Sequence, residues 1–79
     1  MVNVTPRQIR AARALLGWSQ AALADKAIVS LSSVIRLEKG QSTTTDIYFR
    51  VCQALEEAGV VFLSAGRHGE GVRLSSPDQ

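Results

Sequence analysis

Apolar side chains recur at helical spacing in four successive blocks, and residues that start or stop a helix bracket each one. Ile9, Ala12, Leu15 and Leu16 form the first stripe. Thr5-Pro6-Arg7-Gln8 precedes it with a capping Thr, Pro at the first helical position and Gln three residues after the cap. Gly17 supplies a left-handed stop. Ser19 then caps a second helix, Gln20 to Ala27, with Leu23, Ala24 and Ala27 inward. A third begins after Ser30 and runs to about Lys39, with Val34 and Leu37 inward and Gly40 as its stop. Gln41-Ser42-Thr43-Thr44-Thr45 is a polar loop. The spacing predicts a fourth helix from about Asp46 to Ala58, capped by Thr45 and ended by Gly59; its inner face carries Tyr48, Val51, Cys52, Leu55 and Ala58.

The period then changes. Val60-Val61-Phe62-Leu63 is short, β-branched and aromatic, which predicts a strand, and Val72-Arg73-Leu74 alternates as a second one. Gly66-Arg67-His68-Gly69-Glu70-Gly71 between them reads as a hairpin turn, with His68 in solvent. It is no phosphate-binding loop, for it lacks a following helix and a Gly-Lys-Ser/Thr ending. The expected organisation is a helical unit over residues 1–59, a hairpin over 60–74 and a polar tail over 75–79.

Composition narrows the classes. Seventy-nine residues make one domain, and a domain this short needs a staple. Cys52 is the only cysteine, so no disulfide serves, and one His with one Cys does not make a metal cage. Self-association is the remaining staple. The longest apolar run is Val60–Leu63, too short to span a bilayer. The first residues show no basic region followed by an apolar run, so a cytoplasmic location with a reduced thiol is expected, and the Asn3-Val4-Thr5 sequon carries no weight. No nucleophile–base set, metal cluster or cofactor loop is present, which argues against an enzyme and against any cofactor. Net charge is only +2 but unevenly placed: residues 1–40 carry six basic and two acidic side chains, whereas residues 41–79 carry three and five. An anionic partner for the first half is the simplest reading.

Two short helices separated by Ile28-Val29-Ser30 suggest a steep crossing, as in a helix-turn-helix. The run Gln20-x-x-Leu23-Ala24-x-x-Ala27-x-Val29-Ser30-x-x-x-Val34-x-x-Leu37-Glu38-x-Gly40 resembles the helix-turn-helix of phage Cro and repressor proteins, the Xre-type family. With the flanking helices the resemblance covers roughly residues 5–58. The final segment is similar to short members that end in a strand pair. The resemblance implies a mainly α fold, a four-to-five-helix repressor-type domain with a small C-terminal β-hairpin. It also implies a DNA-binding transcriptional regulator and an ion pair between Arg13 and Glu38 that clamps the first helix to the third. One position departs: the family usually has Gly in the turn, and this chain has Ile28. A β-branched residue at positive φ is strained by about 1–2 kcal/mol, so the turn is either reshaped or held because Ile28 packs on something.

On this reading the third helix lies in a major groove of double-stranded DNA. The candidate contact residues on and beside it are Leu31, Ser32, Ser33, Ile35 and Arg36. Arg36 can fork onto guanine O6 and N7, Ser32 offers one hydrogen bond, and Leu31 can touch only an apolar edge such as a thymine methyl. With few long polar readers, part of the specificity is expected from DNA shape. Gln20, Ser30, Lys39, Gln41, Ser42 and Thr43 are the candidate phosphate grips. Trp18 and Cys52 are expected in packing roles. A homodimer is expected through Val60, Val61, Phe62, Leu63, Val72 and Leu74, with Phe49 as a further anchor, because two short apolar strands are unstable alone. Dimerisation through the fourth helix is the alternative. Its function is then that of a dimeric repressor on an inverted repeat. The alternatives are an antitoxin-type or accessory regulator with a protein partner, and a protein-interaction module that does not bind DNA.

Overall fold

The computed structural model describes residues 4–66 and 69–75. Four helices, α1 (Pro6–Leu16), α2 (Gln20–Ala27), α3 (Leu31–Glu38) and α4 (Thr45–Glu57), are followed by strands β1 (Val60–Leu63) and β2 (Gly71–Leu74). The mainly α class with a C-terminal hairpin holds. There is no fifth helix among the described residues; the chain passes from α4 directly into β1. The readings for Asn3, His68 and the tail beyond Ser75 lie outside the described residues.

Local chemistry sets the helix ends. Thr5 Oγ1 accepts from the Gln8 N–H at 3.3 Å and Gln8 Oε1 accepts from the Thr5 N–H at 2.9 Å, a reciprocal capping box. Ser19 and Ser30 accept from Ala22 and Ser33 amides at 3.0 and 3.2 Å. The fourth cap is Thr44, not Thr45: its hydroxyl accepts from the Ile47 amide at 3.2 Å and α4 begins one residue early. Adjacent threonines are chemically equal as caps. Starting the helix one residue earlier leaves the Val51–Cys52–Leu55 face where its periodicity puts it.

The core gathers around Ile9, Leu23, Val34, Val51, Cys52 and Leu55, all essentially closed to solvent. Tyr48 and Ala58, assigned to the same inner face, are half-buried. The Tyr48 hydroxyl accepts from the Val4 amide at 2.6 Å and donates to the Val4 carbonyl at 3.0 Å, pinning the chain ahead of α1. Burial pushes the Cys52 thiol up to about 11, so it stays a protonated apolar filler at neutral pH.

The hairpin is antiparallel, pairing Val60 with Leu74, Val61 with Arg73, Phe62 with Val72 and Leu63 with Gly71. Ser75 extends it, donating its amide to the Gly59 carbonyl at 2.7 Å. Strand alternation sorts the apolar run. Val60 and Phe62 are 3% and 7% exposed, buried within the single chain, whereas Val61 is half-buried and Leu63 is 41% exposed. Val72 and Leu74 also pack on the chain's own core. The expectation that Val60 and Phe62 wait for a second copy is therefore corrected: they are core residues of one copy.

Gln8 fixes this docking. It is only 3% exposed, and its Nε2 donates to the carbonyls of Leu63 and Gly71, both at 2.9 Å. One side chain thus caps α1 with its oxygen and closes the hairpin mouth with its amide. Glu70 adds a rim, accepting from Thr5 Oγ1 at 2.6 Å and facing Arg7 Nε at 3.5 Å. No helix among the described residues is long and apolar enough to cross a membrane.

Candidate nucleic-acid interface

The site is built on α2, the turn after it, and α3. Three helices close by the same pair of backbone hydrogen bonds, in which the residue after the left-handed one reaches back five positions. Trp18 N–H reaches Arg13 O, Val29 N–H reaches Ala24 O, and Gln41 N–H reaches Arg36 O, at 3.0, 3.0 and 2.9 Å. Each closure needs a left-handed residue. Gly17 and Gly40 supply two, at φ 70° and 78°; Ile28 supplies the third, at φ 58°. The turn is therefore not reshaped. Nor is Ile28 held by packing, for its side chain is 79% exposed. The turn carries the strain and Val29, half-buried against the core, anchors it. Ile28→Gly is expected to stabilise the protein by about 1 kcal/mol in urea unfolding, the relieved strain less the added freedom of the unfolded chain. A destabilised variant would overturn the strained-turn account.

α3 starts from the Ser30 cap, whose Oγ also lies 3.1 Å from Ser32 Oγ and 2.8 Å from Ser33 Oγ. Its inner side is locked by Val34, Leu37 and, unusually, Glu38, which is 3% exposed. Arg13 meets that carboxylate with its fork, Nε to Oε2 at 2.7 Å and Nη2 to Oε1 at 3.0 Å, while its Nη1 holds the Trp18 carbonyl at 3.1 Å. The hydrogen bonds that Arg13 donates to Glu38 raise its already high pKa against the opposing effect of burial. Arg10 donates to the Glu38 backbone carbonyl. Gln20 Nε2 adds a further bond to Glu38 Oε1 at 3.1 Å. The middle and last turns of α1, the first turn of α2 and the end of α3 are thus tied at one buried point.

On the outer side Leu31 is 45% exposed, Ser32 and Arg36 are exposed, and Ser33 and Ile35 are half-buried. Arg36 does not extend freely: its Nη2 donates to the Ser42 carbonyl at 2.8 Å. Lys39, Gln41 and Ser42 are exposed beyond the helix, with Thr43 half-buried. The structure thus gathers Ser30, Ser32 and Ser33 at one end of α3, and Arg36 with Ser42 at the other. It places Gln20 against Glu38. Trp18 is half-buried with Lys26 Nζ 5.9 Å from its ring centroid, a cation–π contact.

Sequence reading missed the second role of Gln8, the Arg10 contact and the Tyr48–Val4 clasp. A capping-box Gln in an otherwise apolar stripe was the available signal for the first, since its amide N–H groups need acceptors wherever they are buried. The others join residues distant in sequence, and no local pattern marks them.

Residues 9–58 match a family model described as helix-turn-helix, of the type found in Cro and C1. No curated protein matches the chain. The match spans α1 to α4 and takes in Arg13, Gln20, the Ile28 turn, the whole of α3 and Glu38. The chain belongs to the Cro/C1-type, Xre-like helix-turn-helix family of DNA-binding transcriptional regulators.

Proposed function

We propose that this regulator works in the cytoplasm as a homodimer that lays α3 in the major groove of an inverted-repeat operator and represses by occupancy. The observation that carries the reading is the asymmetry of α3. One side is locked by Val34, Leu37 and the Arg13–Glu38 pair, and the other presents Leu31, Ser32 and Arg36 on an unpacked surface. Arg36 keeps donors beyond the one given to Ser42, enough to fork onto a guanine. Gln20, Ser30, Ser33, Lys39, Gln41, Ser42 and Thr43 flank that surface and suit phosphate contacts. Selection of bound duplexes from a random pool at two salt concentrations tests the reading. Arg36→Ala should relax sequence preference, at about 1–3 kcal/mol, while Gln20→Ala should weaken all sequences alike. Unchanged cognate affinity for the Arg36 variant, with scrambled duplexes bound equally well, would overturn the base-reading role.

The dimer rests on the outer face of the hairpin, where Leu63 and Val61 stay at least partly open once Val60 and Phe62 are taken into the core. A two-fold pair sets its recognition helices about 34 Å apart, one turn of duplex. Leu63→Asp should leave the fold intact and weaken self-association about tenfold or more, read by sedimentation velocity. Undiminished dimer would move the interface elsewhere, with Phe49 on α4, 48% exposed, as its next anchor.

A second reading draws on the exposure of Ile28 and Leu31, two apolar side chains that also suit a protein partner, as in an antitoxin or accessory regulator. Duplex binding that falls with salt is expected on both readings and would be absent only from a protein-interaction module. Stoichiometric co-purification of a second protein favours this second reading over the first.

A further inference from the structure

The polar side chains around α3 are largely engaged within the chain. Ser30, Ser32 and Ser33 hydroxyls form one hydrogen-bonded cluster. The Gln20 amide is drawn to Glu38 and the Arg36 guanidinium to the Ser42 carbonyl. The one carboxylate of α3, Glu38, is buried and occupied by Arg13. The exposed side of the helix therefore offers no carboxylate or amide to accept from a cytosine or adenine amino group. It does offer an apolar strip. Leu31, 45% exposed, and Ile35, half-buried, stand four residues apart along one flank of the helix, beside the exposed pair Ser32 and Arg36. Their separation along the axis, about 6 Å, is close to two base steps.

Resting on the DNA-reading function above, we infer that Leu31 and Ile35 read the C5 methyl groups of pyrimidines in the major groove, and that thymines two base steps apart are the natural source of those methyls. An A·T pair offers a major-groove reader two hydrogen-bonding edges and one methyl. This helix has no amide to bond adenine bidentately, and it has two apolar side chains for the methyl. Arg36, one residue past Ile35, then reads a guanine beside the thymines. The half-site is accordingly defined by methyls and one guanine, and not by bidentate amide contacts to adenine.

The first arm of the test changes only the DNA and uses the intact protein. A random duplex pool is selected with the intact protein, and each thymine of the recovered sequence is replaced in turn by deoxyuridine, which differs only by the methyl. Loss of affinity of about fourfold at each of two positions is expected, the effect of one buried methyl group. In Leu31→Ala the loss should vanish at one of them. A second arm compares 5-methylcytosine with cytosine at the sensitive positions. A gain there shows the methyl read in either base; no gain, with the deoxyuridine loss present, assigns the contact to thymine alone. Affinity indifferent to deoxyuridine at every position overturns the inference and leaves the DNA-reading function standing. A pool from which no duplex is retained overturns both.

Discussion

Glu38→Ala is expected to lower stability by about 3–5 kcal/mol, the largest effect of any single substitution considered for this chain. The carboxylate is 3% exposed and receives both arms of the Arg13 fork and the Gln20 amide. Removing it leaves the guanidinium, partly buried, with no counter-charge, and strands the Gln20 amide as well. Arg13→Met should be comparably severe, because it leaves a buried carboxylate. The double variant Arg13→Met with Glu38→Leu should fall well short of the summed losses, since neither charge is then orphaned and the volume is kept. Urea unfolding of the unsubstituted protein, Arg13→Met, Glu38→Leu and the double variant gives the coupling directly. Additive losses would mean the two side chains act independently, contrary to the fork geometry. The same cycle should reach the interface: with the pair replaced by apolar side chains the protein folds, but α3 loses its tie to α1 and α2, so duplex affinity should recover less than stability does.

Gln8→Ala should cost about 3 kcal/mol and loosen the hairpin before the helices. The side chain satisfies the Thr5 amide and the carbonyls of Leu63 and Gly71, and each polar group left buried without a partner costs about 1–3 kcal/mol. Gln8→Glu is the sharper probe. It keeps an acceptor for the Thr5 amide but turns a carboxylate oxygen toward two carbonyl oxygens, so it should be at least as damaging at neutral pH despite near-identical shape. Amide exchange reports the order of events: β1 and β2 amides should lose protection while those of α1 to α4 keep theirs. Equal loss across the chain would mean the hairpin and the helices unfold as one unit. Glu70 bonds Thr5 on the same rim, so Glu70→Ala should reproduce a small part of the effect, as expected of a partly exposed contact.

These two side chains mark where the sequence could be read and where it could not. Gln8 was legible as half of a capping box, because Thr5 and Gln8 are three residues apart and the geometry of one helical turn fixes what they do. Its amide was not, because Leu63 and Gly71 come next to it only when the hairpin folds onto α1. Arg13 and Glu38 were legible only through the family pattern; periodicity alone would have left both on a surface. Val60–Leu63 shows the same limit in another form. Four consecutive apolar residues carry no alternation, so the strand was visible but the division of Val60 and Phe62 from Val61 and Leu63 was not. The candidate interface was located by its spacing, whereas the present partners of Gln20, Arg36 and the three serines appeared only in three dimensions.

By itself the chain determined its helix starts and stops to within a residue and its break from helical to strand period after Gly59. Each depends on atoms within a few residues of one another, where backbone sterics and capping leave few solutions. Tertiary structure decided which side of β1 is interior and that a carboxylate at Glu38 is buried in the fork of Arg13. Those outcomes depend on contacts between segments far apart in the chain, where burial makes one arrangement much cheaper than its neighbours and no local pattern records which.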